Sequence, residues 1–236
     1  MATEADPSVW FGGTPAALAA DRFEILYALD GRGRALHTNE WERKAPPRLH
    51  VYRTPDALAM RVAADVPDDV ARALARTLAT ERPAAPGTPL ACAPDLLALL
   101  GASTFDAGPS WVLEAAAPAP DTDVVTAAPA LFEHAMGDWL PDVPHRAPFL
   151  VLTEAGRARS VSASVRIGPR AHEAGVETAP DARGRGFATR VVAAWAAAVR
   201  AAGAAPCYTT SWDNEASRRI AERIGGRLLG EDVRIL

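Results

Sequence analysis

Residues 149–152 are all apolar, and from 158 to 167 Val161, Ala163 and Val165 alternate with Ser160, Ser162, Ser164 and Arg166. That pattern predicts two strands around a turn at 154–156, with one face of the second strand buried. Residues 173–178 read as another strand, followed by a loop over 179–185 and a helix over 186–202 that Gly203 and Pro206 terminate. Next come a strand over 207–212, a helix over 215–224 capped by Asp213 or Asn214, the stop Gly225-Gly226, and a final strand over 227–236. Residues 127–139 read as a helix.

The first half follows a different pattern. Residues 23–29 and 34–38 flank Asp30-Gly-Arg-Gly33, while 49–53 and 58–62 flank Thr54-Pro-Asp-Ala57, so the turn chemistry predicts two β-hairpins. Val66, Val70, Leu74 and Leu78 recur every four residues behind an N-cap at Asp65 and first-turn acids, which is an amphipathic helix. A short helix over 94–100 ends at Gly101. Between the halves, residues 115–123 lose all apolar periodicity in a run of Ala, Pro and Asp, and read as a linker. The predicted class is α/β (α+β): a smaller N-terminal α+β domain over 1–118 and a second domain over 119–236.

Composition narrows the function. Of the 236 residues 49% are apolar and 23% charged, within the range of globular domains. The net charge of −4 provides no basic field for a nucleic acid or an anionic membrane. Twenty-four of the 25 basic residues are arginine, Lys44 being the one lysine. The opening Met1-Ala-Thr-Glu-Ala-Asp-Pro lacks the basic and apolar regions of a secretory signal, and the greasiest stretch, 191–205, is too short to span a bilayer. Cys92 and Cys207 match neither a redox pair nor a zinc quartet, and the histidines lack metal-ligand spacing. The expected compartment is the cytoplasm, with both thiols free and buried and no metal bound.

The chemistry concentrates in residues 176–189. Gly184 and Gly186 lie at a strand-to-helix junction, where orphan backbone N–H groups and the helix dipole favour an anion. Arg183 and Arg185 add cationic donors suited to phosphate oxygens. A glycine-rich connection with solvated arginines is the plain alternative. The similar Gly31-Arg-Gly33 leads into a strand and is a hairpin turn. Both copies lack the third glycine of a dinucleotide fingerprint, and no acidic residue follows at a strand end about 20 residues on, so a dinucleotide fold is disfavoured.

Arg183-Gly-Arg-Gly186-Phe-Ala188 resembles the Q/R-x-x-G-x-G/A signature of the GNAT superfamily of acyl-CoA-dependent N-acetyltransferases, with Val176-Glu-Thr178 as the preceding strand and Pro180 in its loop. Asp213-Asn-Glu-Ala-Ser217 with Gly225-Gly226 is similar to the helix that such proteins carry after their next strand. The resemblance spans roughly 149–226. It implies acetyl-CoA as cosubstrate, its pyrophosphate on the N–H groups of Gly184, Arg185, Gly186, Phe187, Ala188 and Thr189, with Arg183 beside them. The pantetheine arm would pair with main-chain groups of Val176 and Thr178, near Asn214 and Ser217. An extended amide chain can add to a strand edge as a peptide does. A helix cap and a first-turn serine are the plain alternatives at Asn214 and Ser217.

The resemblance further implies direct attack of an amine on the thioester, so Cys207 is not required as a nucleophile. Glu173, His172 and Glu177 are the candidate bases. Strand geometry puts the two glutamates on one face and His172 on the other, and Glu173, upstream of the thioester, is favoured. Many relatives carry a tyrosine acid seven residues after the asparagine, where this chain has Ala221. Tyr208 or Ser211 is the nearest substitute. The partners implied are acetyl-CoA and an unidentified amine, with the N-terminal domain as one wall of the acceptor site, and a homodimer is compatible. A non-catalytic acyl-CoA-binding or sensory module is the competing reading. Trp139, Trp195 and Trp212 are read as core.

Overall fold

The structure is a computed structural model that describes residues 15–114, 121–133 and 135–236. The Met1–Pro7 stretch and residues 115–120 of the expected linker lie outside the described residues. The chain is α/β, with a mixed sheet flanked by helices in its C-terminal part and a smaller α+β part before it. By packing, the described residues form two compact units, one of 112–208 and 216–227 and one of 15–111, 209–215 and 228–236.

In the α+β unit, helix α1 (Pro15–Leu26) runs directly into β1 (Tyr27–Leu29), which pairs antiparallel with β2 (Ala35–Thr38). The expected strand over 23–29 is therefore mostly helix. Ala19, Phe23 and Leu26 are buried on one face at helical spacing, a pattern that a short apolar run does not distinguish from a strand. β3 (Leu49–Thr54) and β4 (Ala57–Val62) form the second expected hairpin. Helices α2 (Asp68–Leu78) and α3 (Ala93–Leu100) pack Leu74, Leu78, Leu96 and Leu100 against Leu49, Val51 and Val62. α2 starts later than the sequence indicates: Pro67 occupies the cap position without a side-chain bond, so Asp65 does not cap it. Asp68 in its first turn receives Arg32 and Arg34 at 2.5 and 2.7 Å.

The mixed-sheet unit orders its strands β10-β9-β8-β7-β6. β6 (Val124–Thr126), β7 (Phe149–Glu154), β8 (Arg157–Ile167) and β9 (Ala171–Thr178) are antiparallel neighbours, and helix α4 (Phe187–Ala201) returns the chain to β10 (Ala205–Thr209), parallel to β9. α5 (Glu215–Arg223) and β11 (Gly226–Ile235) follow, while β5 (Asp106–Leu113) precedes the unit in sequence. β5 and β6 carry no sequence expectation, and β10 ends three residues before the expected 212. The expected helix over 127–139 is two 3-10 turns, Pro129–Phe132 and Gly137–Asp142, separated at Met136 in the left-handed conformation. Pro129, Gly137 and Pro141 all disfavour a continuous α-helix.

The serines of β8 are buried as well as its apolar positions, so both faces of this strand are covered. Ser164 faces α4, where Trp195 donates its indole N–H to Ser164 Oγ at 3.1 Å. Trp195 is fully buried, whereas Trp139 and Trp212 are only half-buried, short of the core positions expected for them. Both cysteines are free and buried, and burial pushes the Cys92 thiol up to about 11. Among the described residues, no helix is long and apolar enough to cross a membrane.

Candidate functional site

The site begins where two parallel strands part. β9 pairs with β10 through Ala171, His172 and Glu173 only, opposite Ala205, Pro206 and Cys207. Beyond Glu173 the ladder stops, while β9 continues to Thr178 and keeps its other edge on β8, with Ser162 opposite Val176 and Ser160 opposite Thr178. The edge of β9 from Ala174 to Thr178 therefore has no partner in β10, and its main-chain groups are available to an extended amide chain. A bulge at Val165 of β8 interrupts the register beside Glu173 and Ala174. Gly175 accommodates it, since a Cβ there would collide with the Val165 side chain and press on the Trp139 ring.

The loop after β9 makes one 3-10 turn, Pro180–Ala182, and then enters α4 through two left-handed glycines, Gly184 at φ 75° and Gly186 at φ 78°. A Cβ on either would meet nothing within 4 Å, so the space before the helix start is open. The amides of Phe187, Ala188 and Thr189 form the first turn of α4 and have no intrahelical acceptor. Open space beside a helix N-terminus whose first amides lack intrahelical acceptors can receive an anion.

The two loop arginines differ. Arg185 makes a bidentate pair with Glu154 at 3.0 and 2.5 Å and lies 4.3 Å over the Phe187 ring. The Arg185 bond holds the Glu154 carboxyl below its ordinary range. Arg183 is exposed and bonds the carbonyl of Thr178, the last residue of β9, at 3.4 Å. Behind them Arg190 is clamped to Asp121 at 2.7 Å and Asp123 at 2.8 Å, which ties α4 to the segment before β6. Glu154, Asp121 and Asp123 carry no expectation from the sequence. No spacing rule connects them to their partners, which lie 31 to 69 residues away.

The candidate bases separate by face, as strand alternation requires. His172 turns toward α4, its Nδ1 2.9 Å from Ser164 Oγ, and burial pushes its pKa below the ordinary value, leaving the ring neutral at pH 7. Glu173, the last residue paired with β10, is buried at 2% exposure. Glu177 is exposed and accepts the Trp139 indole N–H at 2.6 Å.

Tyr208 leaves β10 toward α5, where its hydroxyl lies 2.6 Å from Ser217 Oγ. Burial pushes this phenol above its ordinary pKa, against the Ser217 bond, and the Glu173 charge adds to the rise. Ala221, one turn further along α5, is fully buried. Asn214 precedes the helix, exposed, with its N–H on the Ser211 carbonyl at 3.2 Å. Val176, Thr178, the 183–189 loop, Tyr208 and Ser217 belong to one unit, and Asn214 to the other. Among the described residues no group of His, Cys, Asp and Glu is arranged to hold a metal ion.

Residues 173–235 match the family model described as FR47-like protein. No curated protein matches the chain. Among solved structures it is similar to an acetyltransferase from the GNAT family of Colwellia psychrerythraea (14% identity, TM-score 0.48, 76% of each chain). It is also similar to a GCN5-related N-acetyltransferase-like protein of Streptococcus suis (14%, TM-score 0.45, 80% of this chain and 84% of that one). A Novosphingobium aromaticivorans structure described as from the GNAT family is 20% identical over 56% of this chain, with a TM-score of 0.45. This chain spans 64% of that protein's length.

Proposed function

We propose that the chain is an acyl-CoA-dependent N-acetyltransferase of the GNAT superfamily, moving an acetyl group from acetyl-CoA to an amine. The observation that carries this reading is the three-residue pairing of β9 with β10, which leaves a free strand edge leading straight into the open, glycine-lined start of α4. A long ligand with amides along its arm and a pyrophosphate at its end matches that sequence of features. Val176 and Thr178 would pair with the amides, and the N–H groups of residues 184–189 would receive the pyrophosphate, with Arg183 adjacent. When bound, acetyl-CoA supplies an activated thioester carbonyl.

The chain's own residues then have to hold an amine in line and manage two protons. Glu173, at the point where the strands part, accepts the proton of the attacking amine. Tyr208, protonated across the neutral range, donates to the departing sulfur. Its hydroxyl takes over at α5 the place that Ala221 leaves without a phenol. A non-catalytic acyl-CoA-binding module is the second reading, favoured by that same Ala221.

The test is release of free CoA thiol from acetyl-CoA in the presence of a panel of primary amines. Amine-dependent release supports the transferase. Tight acetyl-CoA binding without release for any amine supports the binding module.

A further inference from the structure

The side of β9 away from α4 carries an arrangement that the transfer chemistry does not use. Glu177 is exposed, and the Trp139 indole N–H holds one of its carboxylate oxygens, Oε2, at 2.6 Å. No cation among the described residues pairs with it. Arg146, a cation on the Trp139 side, lies 5.6 Å over the indole ring and is itself paired with Asp142 at 3.0 Å. Trp139 rests on Gly175, where a Cβ would come within 3.1 Å of the ring, and its other neighbour is Phe149, edge-on at 5.6 Å. Phe149 belongs to the apolar cluster beneath β7 and β8. The carboxylate is thus fixed by a neutral donor and stands exposed beside an aromatic wall.

The position of this pair gives it a use. α4 packs on one face of the sheet, where Trp195 bonds Ser164, and Glu177 stands exposed on the opposite face of β9. That face carries Glu173 at the start of the edge and Glu177 near its end, four residues or roughly 13 Å apart along the strand. An exposed carboxylate that no cation among the described residues neutralises, mounted on this face, is suited to an ammonium or guanidinium group.

We propose that Glu177 and Trp139 form a subsite for a second cationic group of the acceptor, making the acceptor class a diamine or similar molecule with a positive charge several atoms from the reacting nitrogen. This rests on the N-acetyltransferase reading and adds the acceptor chemistry to it. Glu177 is here a recognition residue and Glu173 the base.

The probes are 1,4-diaminobutane and 1,8-diaminooctane, each compared with the monoamine of the same length, with acetyl-CoA binding measured separately by calorimetry. The expected result is a kcat/KM for at least one diamine about tenfold or more above its monoamine, in line with a charged hydrogen bond. Glu177→Gln, which still accepts from Trp139, should bring that ratio to about one, chiefly through the KM of the diamine and without moving the pH profile of kcat. Equal or better turnover of monoamines at both lengths, or no turnover of either diamine, overturns the subsite. A kcat collapse in Glu177→Gln with loss of the acidic limb also overturns it, by making Glu177 the base. Absence of acetyl-CoA binding in the parent protein brings down the transferase reading itself, a failure visible before any amine is added.

Discussion

The Tyr208 hydroxyl lies 2.6 Å from Ser217 Oγ, which brings a strand phenol to the first turn of α5 while Ala221, a turn further on, is buried and inert. The hydroxyl pair is a short hydrogen bond, and burial raises the phenol's pKa above its ordinary value. Tyr208→Phe is expected to lower kcat by about 10²-fold with the acetyl-CoA Kd nearly unchanged. Ser217→Ala should cost less, because the phenol remains. Full activity of Tyr208→Phe in steady-state kinetics would remove it from the reaction.

Glu173 is expected to behave as the base. Glu173→Gln should lower kcat by about 10²- to 10⁴-fold and remove the acidic limb of kcat/KM, with acetyl-CoA affinity preserved. Near-parental turnover in this variant, with a loss in His172→Ala, would transfer the role to the neutral imidazole held by Ser164.

Arg185 is doubly bonded to Glu154, so under the proposed pyrophosphate placement it would exchange that carboxylate for a phosphate. Exposed ion pairs are weak, so the exchange is cheap, but the carboxylate still repels an incoming anion. Glu154→Gln should therefore tighten acetyl-CoA binding severalfold and steepen its dependence on salt. Weaker binding in calorimetry would show instead that Glu154 props the loop in its binding shape.

Acid should destabilise the α+β unit through a buried chain. Tyr27 Oη lies 2.8 Å from His50 Nδ1, His50 Nε2 lies 2.9 Å from Asp232 Oδ1, and Arg22 bonds both Asp232 oxygens at 3.1 and 2.7 Å. Burial pushes the His50 pKa below its ordinary value of 6.5, despite the Asp232 bond. The unfolded chain therefore binds a proton that the folded one refuses. The stability held by this group is full above that ordinary value and falls as the pH drops below it. Denaturant titrations of the parent and of His50→Gln at about pH 7.5 and 5.5 test this. The variant should be less stable at the higher pH but lose less on acidification. An unchanged loss would assign the acid sensitivity to other groups.

The most legible parts of the chain were those in which local chemistry decides. Asp30-Gly-Arg-Gly33, Thr54-Pro-Asp-Ala57, Gly101 and the 184–186 glycines mark turns and helix ends because few other residues adopt those backbones, and each stands where expected. Residues 23–26 were misread as strand, since a short apolar run has no period long enough to separate helix from strand. β5 was not foreseen because its Gly-Pro-Ser interior carries no alternation; Gly108 is there to let the Thr210 carbonyl approach, a contact across 102 residues. The left-handed turn into α4 could be read from glycine spacing. The parting of β9 from β10, the Arg185–Glu154 pair and the Trp139–Glu177 bond are tertiary facts and leave no mark on spacing.

The decisive measurement is calorimetry of acetyl-CoA with the parent protein, Gly186→Val and Gly203→Val. Gly186 at φ 78° and Gly203 at φ 82° both have open space at the Cβ position, so the two substitutions carry the same backbone strain. Only Gly186 faces the open start of α4; Gly203 lies just beyond its far end. The parent and Gly203→Val should bind one equivalent with similar affinity, and Gly186→Val should not bind. Equal affinity in all three proteins would contradict a pyrophosphate seat at residues 184–189.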